Sequence, residues 1–166
     1  MRSLLVLFAL LGAGAAQAQG FSTYDLSSIA PQAQAALGGG YAFRATPERV
    51  TLHCPTCAGA PMIDILLGRQ DDGTEERVRS GETPISRMEA LCRAKNPECR
   101  VTGLKVAPAV GWISRYQLAT TMAGSTAIIL NGGDMLTIRS IAGSSDTARR
   151  NAEKLVGAIV PSLVER

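Results

Sequence analysis

The residues of this sequence best suited to chemistry are two cysteines in the segment His53-Cys54-Pro55-Thr56-Cys57. A Cys-x-x-Cys pair can act as a redox dithiol, contribute half of a zinc or copper(I) site, or form a short structural disulfide. In the redox case, Cys54 would be the nucleophile and Cys57 would resolve the mixed disulfide. The redox state of the compartment decides among these roles, because an oxidising environment favours the disulfide.

Two further cysteines, Cys92 and Cys99, bring the total to four. The sequence does not by itself determine how four cysteines pair. Local pairing would join Cys54 to Cys57 and would tie Cys92, near the end of a predicted helix, to Cys99 before the next strand. Crossed pairing, such as Cys54 with Cys92, would require that helix to lie beside the strand. We expect all four cysteines to form disulfides and favour the local pairs.

A metal site is a less favoured use of the same residues. His53, Cys54 and Cys57 are ligand types for zinc and copper. However, neighbouring residues of a strand point to opposite faces, which separates His53 from Cys54 and also disfavours a Cys-His nucleophilic dyad. His53 is the only histidine, and the sequence has no Gly-x-Ser-x-Gly, His-Glu-x-x-His or phosphate-loop motif. We therefore expect no metal and no cofactor, and we favour a protein that is not an enzyme.

The beginning of the chain indicates which compartment to expect. Arg2 precedes an unbroken apolar run over residues 4–11, and the small residues Ala16 and Ala18 fit a cleavage site. This pattern is typical of a secretory signal peptide, which we assign to residues 1–18. No later segment is long and apolar enough to span a membrane. The mature protein is therefore predicted to be soluble and either periplasmic or secreted.

Length and composition favour a single domain without a strong electrostatic preference. The chain has 166 residues, a formal net charge of +3 and 19% charged residues. This length is enough to bury a sizeable core. Nucleic-acid binding normally requires clustered lysines and arginines, whereas the basic residues here are dispersed. We expect the partner to be an envelope protein or a small ligand, with no nucleic acid and no integral membrane segment after signal cleavage.

The sequence divides into a short leading segment and a folded domain. Residues 19–40 are predicted to be flexible or loosely helical, and they end in consecutive glycines. Residues 41–166 are predicted to form the domain. Alternating apolar positions predict strands in this domain over 49–54, 62–68, 100–106, 110–118, 125–130 and 135–141.

Three details of that pattern affect the fold. The 62–68 segment would also fit a helix, although its alternating isoleucines favour a strand. Residues 131–134 have the composition of a tight hairpin turn between the last two strands. In the 110–118 strand, Trp112 shares a face with other apolar residues, which places it in the predicted core.

Helical spacing of apolar residues predicts two helices in the domain. The first covers 83–94, with Thr83 as its cap and Pro84 at its first position. The second is capped by Ser144 or Ser145 and ended by Pro161. The predicted fold is therefore a single α+β domain. Its antiparallel or mixed sheet has about five or six strands, is packed by two helices, and is cross-linked by disulfides.

The segment 50–67, with the cysteine pair, and the later hairpin 126–141 with its closing helix together loosely resemble thioredoxin-like proteins. That resemblance implies an active dithiol at a helix N-terminus. Two positions depart from the family pattern: Ser125 and the residue after it stand where the family has a proline before the strand facing the active cysteines, and Gly59 and Pro61 occupy the start of the expected helix.

The sequence leaves three functions open. The favoured hypothesis is an exported accessory or binding module that recognises a partner or a small ligand. The first alternative is a thiol-disulfide oxidoreductase that uses Cys54 and Cys57. The second is a copper or zinc carrier that binds its metal through the same cysteines and His53.

Overall fold

A computed structural model describes residues 20–164 of the chain. The predicted signal peptide, residues 1–18, lies outside the described residues. The strands are β1 (Ala42–Thr46), β2 (Arg49–His53), β3 (Met62–Arg69), β4 (Arg100–Gly103), β5 (Val110–Ala119), β6 (Met122–Asn131) and β7 (Asp134–Ala142). They form one sheet in the order β1-β2-β3-β7-β6-β5-β4, and every neighbouring pair is antiparallel.

Helices lie on both sides of this sheet. A short 3-10 turn at Leu26–Ile29 precedes the helices α1 (Ala30–Leu37), α2 (Thr74–Arg79), α3 (Ile85–Lys95) and α4 (Ser145–Leu163). The predicted single α+β domain with two disulfides is confirmed. The seven strands exceed the predicted number. The strand that the sequence missed is β1, a short edge strand whose residues are mostly exposed, so that no apolar alternation marks it.

The hairpin between β6 and β7 forms at the predicted turn. Asn131 and Asp134 are paired across it, and Gly132 and Gly133 have φ angles of 59° and 83°. Positive φ at both central positions defines the type I′ turn that matches the twist of antiparallel strands. Local turn chemistry therefore fixes the register of the two central strands.

The helix α4 covers one face of the sheet, which we call the core face. The predicted apolar stripe is buried, and the Ser144 hydroxyl accepts a hydrogen bond from the Thr147 N–H at 3.2 Å. An i, i+4 ion pair between Arg149 and Glu153 lies on its surface at 2.8 Å. The helix does not stop at Pro161 but continues to Leu163, whose side chain is 1% exposed. Burial of this last turn outweighs the backbone hydrogen bond that the proline cannot make.

The segment before β1 also packs on the core face. The 3-10 turn and α1 bury Leu26, Ile29, Ala30 and Ala33, and α1 lies against α4. The helix ends at Leu37, and the residue that follows it, Gly38, has a φ of 108°. The core therefore extends to residues that precede Tyr41, although this stretch was predicted to be flexible or loosely helical.

The strand β5 presents to the core the face opposite to the predicted one. Ile113 is 4% exposed and belongs to the core, whereas Trp112 is half-buried on the other side of the sheet. The prediction that Trp112 lies in the core is wrong. Both faces of this strand carry apolar residues, so alternation alone does not identify the buried face.

The helix α3 lies on the other side of the sheet from α4, at its β4 edge. A Cβ added to Gly103 would lie 3.6 Å from Ile85, and the Glu89 carboxylate accepts a hydrogen bond from the Val101 N–H at 3.0 Å. The helix begins one position later than predicted, and Thr83 does not cap it. Leu91, part of its predicted apolar stripe, is 64% exposed. This helix therefore covers only the end of the sheet.

Candidate functional site

The Cys-x-x-Cys segment forms a tight loop between β2 and β3. Cys54 is bonded to Cys57, and Cys54 is 1% exposed. The Cys54 N–H donates to the carbonyl of Pro61 at 3.1 Å, and the Ala60 N–H donates to the carbonyl of Cys57 at 2.9 Å. These hydrogen bonds and the disulfide together close the β2–β3 hairpin.

The disulfide is also covered from the side of the N-terminal segment. A Cβ added to Gly40 would lie 3.1 Å from the sulfur of Cys54 and 3.3 Å from that of Cys57. Both distances are shorter than ordinary van der Waals contact, so a larger residue at this position would have to displace the sulfurs. The glycine run before β1 thus lets the backbone pack directly on the disulfide.

This setting differs from that of thioredoxin-like proteins. A reactive pair of that kind lies at a helix N-terminus, which lowers the pKa of the attacking sulfur. Here the residues between β2 and β3 contain no helix, and β3 runs antiparallel to both of its neighbours. The resemblance therefore does not extend to the fold.

The residues considered for a metal site do not form one. His53 is exposed at the end of β2, whereas Cys54 is buried on the opposite side of the chain and is bonded to Cys57. Among residues 20–164, no group of three or more His, Cys, Asp or Glu side chains is arranged to hold a metal ion. A thiolate site at this loop would first require the disulfide to be reduced.

The second disulfide joins Cys92, in the last turns of α3, to Cys99, which immediately precedes β4 and is fully buried. The turn between them is held by the Asn96 side chain, which donates to the carbonyl of Gln117 at 2.7 Å. The Cys92–Cys99 disulfide fixes α3 to the edge of the sheet. Both disulfides thus have clear structural roles.

Three central rows of side chains lie on the face of the sheet opposite α4, which we call the open face. Each row consists of residues that are paired with one another across neighbouring strands, from β2 through β3, β7 and β6 to β5. The central row is Thr51, Asp64, Arg139, Thr126 and Ser114. The rows on either side of it are Arg49, Leu66, Thr137, Ile128 and Trp112, and His53, Met62, Ile141, Gly124 and Tyr116.

A buried carboxylate lies at the centre of the open face. Asp64 is 2% exposed. Its Oδ1 accepts hydrogen bonds from Arg49 Nη2 at 2.7 Å and Thr51 Oγ1 at 2.8 Å, and its Oδ2 accepts one from Arg139 Nη2 at 3.2 Å. Burial by itself would raise the pKa of Asp64. The hydrogen bonds from Arg49, Thr51 and Arg139 outweigh it, so that the pKa is lowered from its ordinary value.

The two arginines of this network remain accessible. The side chain of Arg49 is 52% exposed and that of Arg139 is 46% exposed. A guanidinium has more N–H donors than these bonds use. The centre of the open face therefore presents positively charged donors that are held in place by a carboxylate beneath them.

Apolar and aromatic side chains flank these arginines. Leu66, Ile128 and Trp112 are half-buried in one flanking row. In the other flanking row, the ring of Tyr116 lies so close over Gly124 that a Cβ added to this glycine would clash with the ring. The Tyr116 hydroxyl is 2.9 Å from Thr126 Oγ1. The tyrosine and the tryptophan thus lie on β5, on the same face of the sheet as the charged centre.

The sequence did not reveal this surface. Its pattern marks Asp64 only as the polar position between two isoleucines, and Arg49 and Arg139 lie far from it along the chain. A charged residue inside a strongly apolar strand was the available signal, because an unpaired charge there would be costly. Its partners become known only with the strand register.

No helix among residues 20–164 is long and apolar enough to cross a membrane. No protein-family model matches the chain, and no characterised protein is significantly similar to it in sequence.

Proposed function

We propose that the protein is an exported, periplasmic or secreted binding module that recognises an envelope protein through the open face. The observation that carries this proposal is the arrangement of Arg49 and Arg139 around Asp64, on the same face of the sheet as Trp112 and Tyr116. Tryptophan, tyrosine and arginine are the residue types that contribute most to protein–protein binding energy. The two disulfides fit an oxidising compartment.

The charges of the open face define the partner chemistry. Along the five central strands, the cations of this face are Arg49 and Arg139, and its carboxylate, Asp64, is buried beneath them. We therefore assign as occupant a protein surface with one or more carboxylates inside an apolar patch. Such a carboxylate would accept the guanidinium donors that Asp64 leaves unused.

The state of the cysteines favours this function over thiol catalysis and metal transport. A dithiol catalyst needs an accessible sulfur with a lowered pKa, and Cys54 is bonded, 1% exposed and packed against Gly40. A zinc or copper carrier needs free thiolates at the same position. A structural disulfide that holds β2 against β3 accounts for the observed contacts.

Site-specific photo-crosslinking in the native envelope tests the proposal. A photoreactive amino acid replaces Thr137, in the centre of the open face, and a control replaces Ala35, which is exposed on α1 beside the core face. We expect one discrete protein adduct from position 137 and none of that size from position 35. The adduct is identified by mass spectrometry and its partner purified for binding measurements.

Charge reversal then tests whether the crosslinked protein binds through the arginines of the open face. Arg139→Glu should weaken binding of the purified partner by about tenfold or more. The matched control, Arg150→Glu, changes the same charge on α4 and should leave the affinity unchanged. Equal adducts from both positions, no adduct from either, or an affinity that does not respond to Arg139→Glu would each reject the open face as the binding surface.

A further inference from the structure

A cleft on the core face lies between β4, β5 and the start of α4. Its volume is about 230 Å³, and its lining includes Arg100, Arg115 and Arg149. An adjoining cavity of about 230 Å³ shares Arg100 and Arg115 and reaches Ser145, in the first turn of α4. Three guanidinium groups from three different elements thus surround one concave region.

Two of these arginines are direct partners in the sheet. Arg100 on β4 pairs with Arg115 on β5, so that both side chains leave the sheet on the same face. Like charges at directly opposed positions destabilise a sheet. No ion pair in the described part of the chain offsets this repulsion, because neither arginine has a carboxylate partner there.

The guanidinium groups also have unused donors. The guanidinium group of Arg115 makes no hydrogen bond to any residue in the range 20–164. Arg100 uses only Nη1, which donates to the carbonyl of Pro97 at 3.1 Å and to that of Cys99 at 2.7 Å. Arg149 donates through Nε to Glu153 at 2.8 Å. The terminal nitrogens of Arg115 and Arg149 and one of Arg100 therefore remain available to a ligand.

Two acidic residues line the same region, Glu89 in the cleft and Glu98 in the adjoining cavity. Glu89 is committed to the Val101 N–H at 3.0 Å. Within the described residues, neither glutamate is ion-paired to the three arginines. The positive charge of the cleft is therefore only partly compensated by the protein.

We propose that this cleft binds the oxyanion group, phosphate or carboxylate, of a small ligand. Planar guanidinium groups match both oxyanions through paired N–H donors, and the ligand would relieve the repulsion between Arg100 and Arg115. The cleft volume is below the range of about 300–1,000 Å³ typical of drug-sized ligands, which limits the occupant to a small molecule. This site differs from the arginine network around Asp64, because the side chains of Arg100 and Arg115 leave the sheet on the face opposite to Arg49 and Arg139.

Titration with inorganic phosphate and with citrate tests the site, with sodium chloride keeping the ionic strength constant. Isothermal titration calorimetry measures affinity, and thermal unfolding measures the accompanying rise in Tm. We expect saturable binding of at least one probe that is weakened about tenfold or more in both Arg115→Gln and Arg149→Gln. Arg150→Gln, on the same helix but outside the cleft, should change the affinity by less than about twofold, because its charge is solvent-exposed and screened.

The Tm of the variants without ligand distinguishes a ligand-binding role of these arginines from a structural role. Arg115→Gln should leave the Tm without ligand unchanged or raise it, because it removes the like-charged neighbour of Arg100. Binding of phosphate alone would assign a phosphorylated ligand, and binding of citrate alone a carboxylate. Absence of saturable binding of both probes, or affinities unaffected by Arg115→Gln and Arg149→Gln, would overturn the proposal.

Discussion

The side chain of Asp134 accepts a hydrogen bond from the backbone N–H of Phe21 at 3.0 Å, across 113 residues of sequence. The same carboxylate, 1% exposed, accepts the Tyr24 hydroxyl at 2.7 Å and Arg69 Nη1 at 3.0 Å. Asp134 also begins β7 at the tight turn. One carboxylate therefore joins the segment before α1 to the central hairpin and to β3.

Replacing Asp134 with asparagine should be strongly destabilising. The substitution keeps the side-chain volume but removes the charge that holds Arg69 and turns part of the acceptor group into a donor. We expect the free energy of unfolding to fall by about 2–4 kcal/mol, measured by chemical denaturation. Asp71→Asn, at an exposed position, is the control and should change the free energy of unfolding by less than about 0.5 kcal/mol. Equal effects of the two substitutions would contradict this role of Asp134.

The contact with Asp134 should also be visible in the titration of Tyr24. Its hydrogen bond to Asp134 raises the pKa of Tyr24 above the ordinary value of 10.0, with desolvation acting in the same direction. Because the folded-state pKa is the higher one, this contribution to stability is present below pH 10.0 and is lost as the pH rises through the folded pKa. The ultraviolet absorbance titration of the wild type minus that of Tyr24→Phe should isolate this late transition. In Asp134→Asn, the transition should move to lower pH.

The buried carboxylate of the open face should produce an acid-dependent loss of stability. The pKa of Asp64 lies below 3.8 in the folded protein, so its contribution is present above that value and is lost as the pH falls through the folded pKa. Asp64→Asn should lower the free energy of unfolding by about 3–5 kcal/mol at neutral pH. The difference from wild type should shrink in denaturation curves recorded at increasingly acidic pH. Thr51→Val, which removes one hydrogen bond to this carboxylate, should cost about 1 kcal/mol. A difference between Asp64→Asn and wild type that is independent of pH would refute the assignment.

The Cys54–Cys57 disulfide should stabilise the protein without exchanging thiols. The double substitution of both cysteines by alanine should lower the free energy of unfolding by about 2 kcal/mol, the value expected for closing so short a loop. In the native protein, the bond should resist mild reductant until unfolding, because its first sulfur is buried. Cys57→Ser expressed in the envelope should accumulate no mixed disulfide on non-reducing gels. A trapped partner on Cys54 would instead support the oxidoreductase alternative.

The parts of the fold that the sequence predicted are those specified by neighbouring residues. The β6–β7 hairpin follows from the two glycines between Asn131 and Asp134, and α4 follows from a helical apolar stripe with a serine cap. The local disulfides belong to the same group, since each joins cysteines close in sequence. In contrast, Trp112 was placed on the wrong face because β5 is apolar on both sides.

The candidate binding residues required information that local patterns do not contain. The arginines around Asp64 meet it only through the pairing of β2 with β3 and of β3 with β7. Likewise, Arg100 and Arg115 become neighbours only through the register of β4 on β5. Each of these residues alone resembles an ordinary surface charge, and its significance depends on a partner brought close by the tertiary fold.

The strand order has a consequence for how the chain acquires its structure. The strand β3 completes its hydrogen bonding only when β7 arrives, and the pairing of Met62 with Ile141 joins positions distant in sequence. Closing so long a loop before its contacts are made is entropically costly and slows folding. A nascent chain whose synthesis has not yet reached Ile141 can form the β1–β3 meander but cannot close the sheet. The domain should therefore acquire its cooperative stability in one late step, after nearly the whole sequence is free to fold.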